Sequence, residues 1–281
     1  MPFTVLNLGC PGIFTEQETE SSMILERIYE KAAPRLEGKK IKDARIGLEL
    51  MAVELSGGEI GVTYLLRKET GEGCMSFPWT GRLSGMDADE CARMVLDKQD
   101  VISKALGLAV MNAVADVSGY KDESGADGPD AAFSAKIEAA DQIGVIGRIG
   151  PLINRLKDKR DRMYIFERGE NLRRPLCAES TQPELLPECQ VVFITSSTVI
   201  NGTLEKILSY CKEARDVVMV GSSTPLYPEV FMDTPVTVLS GTQWPSSARD
   251  DIMAYISQCA GMKQLIRFGR KVSVKTGNQY R

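Results

Sequence analysis

The stretch from Asp141 to Glu167 constrains the fold of this chain more than any other. It reads DQIGVIGRIGPLINRLKDKRDRMYIFE, and its first apolar run is followed by glycines at intervals of three, namely Gly144, Gly147 and Gly150. Pro151 then opens a predicted helix, where its missing N–H costs little, and a second apolar run ends at Glu167. Strand, glycine-rich turn, helix, strand and terminal acid predict a βαβ unit. Its turn can bind an anion and its acid can bind a ribose.

The glycine spacing departs from the usual dinucleotide-binding pattern. That pattern is G-x-G-x-x-G, whereas this turn has G-x-x-G-x-x-G. Glycines that serve only helix–strand packing remain an alternative, because a fold does not by itself fix a function.

The first half of the chain predicts a helix followed by an antiparallel meander. Thr15 to Glu18 has the form of a capping box, and the helix after it should end near Pro34. Apolar residues alternate from Ile46 to Leu50, Gly57-Gly58 predicts a hairpin, and Ile60 to Leu66 predicts the return strand. Met75 and Phe77 suggest a third strand.

Two helices should follow this meander. Asp87 is placed to cap the first, with Glu90 three residues later, and the second should run from about Val101 to Val117. The second helix is apolar on most sides, which is typical of a buried helix. Asn112 lies within it, and two interpretations stay open: a core amide bonded to neighbouring backbone, or a ligand contact in a cleft.

A polar, glycine-rich stretch from Gly119 to Pro129 predicts a linker. Beyond it, apolar runs alternate with helical segments, which indicates a mostly parallel sheet covered on both faces. The predicted strands are Gln142–Gly147, Met163–Glu167, Gln190–Thr195, Val217–Gly221 and Val236–Ser240, with helices at Pro151–Lys159, Leu204–Ala214 and Ala248–Cys259. We therefore expect an α/β protein with an α+β domain at 1–120 and a Rossmann-like domain at 130–281.

Polar loops follow four of these strands. In open α/β sheets, ligands bind beyond the carboxyl ends of the strands, so these loops predict a pocket for a polar or anionic small molecule. The fourth loop is Gly241 to Pro245. The predicted ligand-binding residues are Asn112, Gly147, Arg148, Gly150, Pro151, Glu167, Thr195, Ser196, Asn201, Gly202, Thr203, Ser222, Ser223, Thr224 and Pro225.

The chain contains no histidine, which limits its chemistry. Ser-His-Asp and Cys-His catalysis and imidazole metal ligation are excluded, so acid–base work falls to Asp, Glu, Lys, Tyr or Cys. The seven cysteines form no C-x-x-C pair, no protein metal site is predicted, and no catalytic residue is assigned. Cys177 is most simply a packing residue, and Glu49, Glu54 and Glu59 of the meander are most simply a solvated strand face.

Composition bears on the partners and the cellular location of the protein. The net charge of −4 argues against a nucleic-acid partner. The basic tail from Met262 to Arg281 is best explained as a solvated terminal strand. Reduced cysteines and the lack of a signal peptide or membrane span predict a cytoplasmic protein, with homo-oligomerisation left open.

The second half resembles the family called domain of unknown function 364, which is associated with heavy-metal chelation. The segments that carry the resemblance are ELLPECQVVFITSSTVINGTLEKIL and VVMVGSSTPLYPE, together with LGLAVMNAVADV before the linker. It implies an enolase N-terminal-like domain joined to a Rossmann-like domain that partly resembles methyltransferases. The turn GRIGPL departs from the more aromatic form typical of this family, and its Arg148 favours an anion.

Three functions stay open at this point. The resemblance favours an enzyme of pterin, flavin or siderophore-like chelator metabolism, acting by condensation or hydrolysis, or methyltransferase-like, with an adenosyl- or pterin-like ligand in an interdomain cleft. The alternatives are a non-catalytic binder of a metal–chelate complex and, with less support, a nicotinamide-dependent oxidoreductase.

Overall fold

Two β-sheets organise the chain in the computed structural model, which describes residues 22–70, 77–98, 100–120, 135–168 and 175–277. The smaller sheet has three antiparallel strands in the order β1-β2-β3. They are β1 (Ile41–Ile46), β2 (Leu50–Leu55) and β3 (Ile60–Tyr64).

The larger sheet has seven strands in the order β10-β9-β8-β7-β4-β5-β6. The strands from β4 to β9 are parallel and β10 is antiparallel to β9. The strand order reverses between β4 and β7, which is where doubly wound sheets place their ligand crevice. The bounds are β4 (Ile143–Ile146), β5 (Met163–Glu167), β6 (Leu176–Ala178), β7 (Val191–Thr195), β8 (Asp216–Val220), β9 (Val238–Gln243) and β10 (Arg270–Lys275).

Helices cover both sheets. Asp87 caps α2 as predicted, because its carboxylate accepts hydrogen bonds from the backbone N–H groups of Asp89 and Glu90. No helix within the described ranges is long and apolar enough to span a membrane. The bounds are α1 (Ser22–Leu36), α2 (Ala88–Asp97), α3 (Val101–Ala113), α4 (Gly150–Arg155), α5 (Gln182–Leu185), α6 (Ser197–Ile200), α7 (Leu204–Tyr210), α8 (Arg249–Ser257) and α9 (Met262–Leu265).

The small sheet is enclosed between helices from both halves of the sequence. One face, with Met51, Val53 and Leu55, joins a core that includes α1, α2, α3 and one face of the large sheet. The other face, with Leu50, Ala52, Ile60 and Val62, packs against Trp244, Ile252, Met253, Ile256 and Leu265. The C-terminal helices α8 and α9 therefore complete the core of the N-terminal sheet.

An ion-pair network around the buried Glu54 links α8 to the small sheet. Glu54 on β2 has a side chain only 3% exposed, and its carboxylate accepts from Lys42 Nζ at 2.7 Å and from Arg249 Nε at 2.8 Å. Arg249 also pairs with Asp43 on β1 at 2.8 Å. Burial alone would raise the pKa of the Glu54 carboxyl, but hydrogen bonds from Lys42 and Arg249 outweigh it and lower that pKa.

The predicted fold class is confirmed, and the structure corrects several element boundaries. The alternation from Ile46 to Leu50 is not one strand but a turn between β1 and β2, closed by a hydrogen bond from Gly47 N to Leu50 O at 2.9 Å. Exposed side chains at Ile46 and Leu48 allow that turn. Phe77 belongs to no strand, while Met75, Thr15 to Glu18 and most of the predicted linker lie outside the described residues.

Other boundaries also shift in the second half. The helix predicted to reach Lys159 ends at Arg155 and is followed by a 3₁₀ turn. Strand β6 was not predicted. The C-terminal tail forms β10, in which Val272, Ser273 and Val274 are buried. The prediction of a solvated terminal strand is wrong for these three residues.

Candidate functional site

A cavity of about 500 Å³ opens at the carboxyl ends of β4, β5 and β7, where the strand order reverses. We call it the first cavity. Its floor is formed by Ile146 at the end of β4 and the following Gly147, by Phe166 and Glu167 at the end of β5, and by Thr195 at the end of β7. This is the position predicted for a ligand in a doubly wound sheet.

The two halves of the chain provide opposite walls of this cavity. Residues 66–69 follow β3 of the small sheet, with a 3₁₀ turn at Arg67–Glu69, and form one wall. Residues from α5, α6 and α7 form the other, namely Gln182, Pro183, Ser197, Thr198, Asn201, Thr203, Lys206, Ile207 and Tyr210, together with Glu179 and Ser180.

Gly147 adds no side chain to the floor of the cavity. Its φ of +83° lies in the left-handed region that favours glycine, and its N–H donates to Phe166 O at 2.9 Å. A Cβ at this position would lie 3.0 Å from Thr195 Cγ2. Glycine at this turn is therefore consistent with close packing against Thr195 as well as with close approach of a ligand to the backbone, and both interpretations stay open.

The Thr195 to Thr203 segment presents polar atoms to the cavity. Thr198 Oγ1 donates to Thr195 O at 2.8 Å, which closes the turn after β7. With the Asn201 amide oriented to satisfy both of its ends, Nδ2 donates to Thr198 O at 3.1 Å and to Thr203 Oγ1 at 2.8 Å. Its oxygen then accepts from Arg168 Nη2 at 3.0 Å.

Sequence reasoning missed Arg168, which joins the two walls. Its guanidinium lies 2.8 Å from Glu69 Oε1 on the opposite wall and 3.6 Å from Glu179 Oε1. The available signal was its position directly after the acid that ends β5. A cation at the end of a strand next to a predicted crevice is placed to contact a ligand.

A second cavity of about 370 Å³ adjoins the first. Glu69 and Asn201 line both cavities. The other residues around the second cavity are Thr70, Phe77, Pro78, Asp100, Val101, Ile102, Lys104 and Ile200.

Four basic and three acidic side chains line the first cavity. Arg67, Lys68 and Lys206 have no carboxylate within 4.0 Å among the residues that the structure describes, whereas Arg168 has two. The acids present are Glu69, Glu167 and Glu179. The arrangement can bind an anion and offers carboxylates to hydroxyl groups or to general acid–base work.

Ten of the fifteen predicted site residues are absent from the lining of the first cavity. They are Asn112, Arg148, Gly150, Pro151, Ser196, Gly202, Ser222, Ser223, Thr224 and Pro225, and their ligand roles stay predictions. The other five, Gly147, Glu167, Thr195, Asn201 and Thr203, lie together around it.

The loop after β8 joins the two sheets. Tyr64 N on β3 donates to Ser223 Oγ at 2.7 Å, and Asn112 Nδ2 on α3 donates to Ser223 O at 3.2 Å. Thr224 Oγ1 donates to Ser240 O at 3.0 Å. Asn112 thus donates one hydrogen bond to neighbouring backbone, while its Oδ1 is buried without a partner among the described residues, so both interpretations of Asn112 stay open.

The described residues do not fit a directly ligated heavy metal. Within ranges 22–70, 77–98, 100–120, 135–168 and 175–277, no group of three Cys, Asp or Glu side chains is placed to hold a metal ion. Burial raises the pKa of the Cys189 and Cys211 thiols to about 12, so both are protonated at neutral pH. Cys177 is half-buried and does not line either cavity.

Two of the three meander glutamates have structural partners, whereas Glu49 is exposed, as predicted. Glu54 is buried, which contradicts the expected solvated face, and Glu59 accepts from Lys39 Nζ at 2.5 Å. Neither lines a described cavity.

Comparisons with known proteins agree with this architecture. Two family models match, both described as "Putative heavy-metal chelation": DUF4213 over residues 29–115 and DUF364 over residues 130–275. An uncharacterized protein of Methanocaldococcus jannaschii is 32% identical over 151 residues, which cover 52% of this chain and 57% of that protein. The match thus spans little more than half of that relative.

Two crystal structures share the fold. A DUF364-family protein of unknown function from Pyrococcus horikoshii has a TM-score of 0.75 at 25% identity, over 90% of this chain and 100% of the other. One from Desulfitobacterium hafniense has a TM-score of 0.68 at 22% identity, over 89% of this chain and 98% of the other.

Proposed function

The chain belongs to the DUF364 family, and from that premise we propose that its first cavity binds a small, polar, adenosyl-like or pterin-like molecule. The observation that carries this proposal is the position of the cavity at the point where the strand order reverses, with Gly147, Glu167 and Thr195 on its floor. Ligands of doubly wound sheets bind at that point.

Each floor residue has a role in this proposal. Gly147 lets the ligand approach the backbone, and the Glu167 carboxylate at the end of β5 accepts hydrogen bonds from a ribose or other vicinal hydroxyls. Thr195 and Ser197 supply hydroxyl donors at the end of β7. The family description directs the metabolism towards chelators, and a condensation or hydrolysis would use Glu167, Glu69, Glu179 or Lys206 for proton transfer, because the chain has no histidine.

A ligand panel tests this proposal. S-adenosylhomocysteine, AMP, a reduced pterin and NAD are each added at millimolar concentration while thermal unfolding is followed, and any small molecule that copurifies is identified by mass spectrometry. Occupancy at about 100 times Kd stabilises by about 2.7 kcal/mol, which raises the melting temperature by several degrees. No shift with any member and no copurifying ligand would contradict the proposal.

Matched variants place the ligand in the first cavity. Glu167→Gln removes the charged acceptor without changing the shape of the side chain, and we expect the ligand-induced shift to fall by at least half. Glu213→Gln makes the same change at an exposed side chain outside both cavities and should leave the shift unchanged. Equal ligand-induced shifts in the two variants would show that the ligand does not bind in the first cavity.

A non-catalytic binder of a metal–chelate complex is the second candidate. It is favoured by the four basic side chains that line the first cavity, since metal chelates commonly present carboxylates, and by the poor fit of the described residues to a bare metal. Equilibrium dialysis with ferric citrate and with iron alone separates the cases. Retention of ferric citrate only is expected, and stoichiometric retention of the bare metal would contradict this candidate.

A further inference from the structure

Arg168 lies at the border between the two cavities. It contacts Glu69 Oε1 at 2.8 Å and the Asn201 side-chain oxygen at 3.0 Å, and both of those residues line both cavities. Arg168 is therefore the cation that contacts the two side chains shared by both cavities.

We infer that Arg168 binds the anionic group of the ligand. In the absence of the ligand, the Glu69 carboxylate forms the ion pair with the Arg168 guanidinium. This inference rests on the first cavity being the ligand site, and it specifies the ligand class as a phosphate or carboxylate with its charge at the border between the cavities. The anion replaces the Glu69 carboxylate on Arg168, and displacement of the Glu69 side chain joins the two cavities.

The solvent exposure of the Arg168–Glu69 pair keeps the free-energy cost of this exchange small. The Arg168 and Glu69 side chains are 47% and 26% exposed, and ion pairs accessible to water contribute little net free energy. The guanidinium presents a planar fork of N–H donors that matches phosphate and carboxylate equally well. The incoming group thus takes over a guanidinium whose Nη2 already donates to the Asn201 side chain.

Neighbouring charges favour the incoming anion. Arg67 and Lys68 stand beside Glu69 in the chain, and Lys206 lies on the opposite wall. Within the described residues these three cations have no carboxylate within 4.0 Å, so their field acts on the cavity. Glu69 is accordingly the side chain whose negative charge competes most directly for Arg168.

This inference predicts opposite effects of the two partners of one ion pair. Arg168→Gln should weaken anion binding about tenfold, because a charge-assisted, bidentate contact is lost. Glu69→Gln should tighten it about two- to fivefold, the factor that corresponds to the net free energy of an exposed ion pair. If the pair served only to hold the walls together, both variants would weaken binding.

Isothermal titration with inorganic pyrophosphate at low salt tests the inference on the full chain. The matched controls are Arg27→Gln, which removes a cation from the surface pair with Asp233, and Glu213→Gln, which removes an exposed carboxylate outside both cavities. Both controls should keep the wild-type affinity, and circular dichroism verifies that all four variants fold.

The outcomes separate this inference from the proposed function. Weaker binding by Arg168→Gln with tighter binding by Glu69→Gln supports it. No heat with wild-type protein at 10 mM (roughly the weakest affinity such a titration detects), or a Glu69→Gln variant that binds no more tightly, overturns it. Failure of the nucleoside and pterin panel leaves the pyrophosphate result unaffected, so the two failures are distinguishable.

Discussion

Replacement of Glu54 by glutamine should destabilise the fold by about 2 kcal/mol at neutral pH. Breaking a buried ion pair costs roughly 3–5 kcal/mol, but the side chains of Lys42 and Arg249 are 59% and 32% exposed, so solvent screens part of this energy. The glutamine oxygen still accepts one hydrogen bond, whereas its NH₂ group faces donors. For a chain of this size, the loss corresponds to about 3–4 °C in melting temperature.

The pH dependence of this loss follows from the lowered pKa of Glu54. The carboxylate contributes fully above its ordinary pKa of 4.5, and the contribution disappears as the pH falls through the lower pKa of the folded state. Urea unfolding of both proteins should therefore show a constant difference from pH 5 to 7 and a shrinking difference below about pH 4.

A control and a refuting result complete this experiment. Asp233→Asn makes the same carboxylate-to-amide change in the surface pair with Arg27, whose side chains are 34% and 68% exposed, and it should cost less than about 0.5 kcal/mol. A Glu54→Gln loss no larger than that of the control, or a loss that persists undiminished to pH 3, would refute the assignment of this energy to the ion pairs.

Three further variants have expected outcomes that urea unfolding can check. Gly107→Ala should destabilise by about 2 kcal/mol, although alanine is the better helix former, because its Cβ would lie 2.7 Å from Ala92 O on α2; a stabilised variant would mean that α2 yields. Cys259→Gly should stabilise by about 1 kcal/mol, since the exposed Cys259 has a φ of +62° just after α8. Asp141→Asn should lower the free energy of unfolding by about 2 kcal/mol at pH 7 and by much less at pH 3. The reason is that the hydrogen bond from Arg215 at 2.7 Å lowers the pKa of this buried carboxyl. An unchanged free energy of unfolding at pH 7 would contradict this prediction.

The strand ends of the large sheet could be predicted because each depends on local sequence. Apolar runs fixed β4, β5 and β7, and the rule for parallel sheets then brought Gly147, Glu167 and Thr195 to one edge. The fold class was predictable for the same reason.

The loop after β8 shows where that reasoning stops. It follows a strand end like the others, but β8 lies one strand further from the reversal point, and Ser223 contacts β3 and α3 instead of the first cavity. Strand order is a long-range property that the local pattern does not contain. The division at residues 120 and 130 likewise stays a prediction, since residues 121–134 lie outside the described part.

The alternating hydrophobicity around Gly47 predicts a continuous strand, whereas the structure has a turn there. Ile46 and Leu48 fit the period of a strand, yet both are exposed beside a turn. Arg168 was missed because its position directly after the acid that ends β5 is only a weak local signal; its significance comes from Glu69, which is 99 positions away in the sequence.

The enclosure of the small sheet by α8 and α9 has a consequence for synthesis of the chain on the ribosome. The apolar face of β2 and β3 is complete once Tyr64 has been made, but its cover begins at Trp244. At about 5–20 residues per second, this face waits roughly 10–40 s for its cover. During that interval the nascent chain presents a surface that a chaperone can bind, and truncation before α8 would leave the surface exposed permanently.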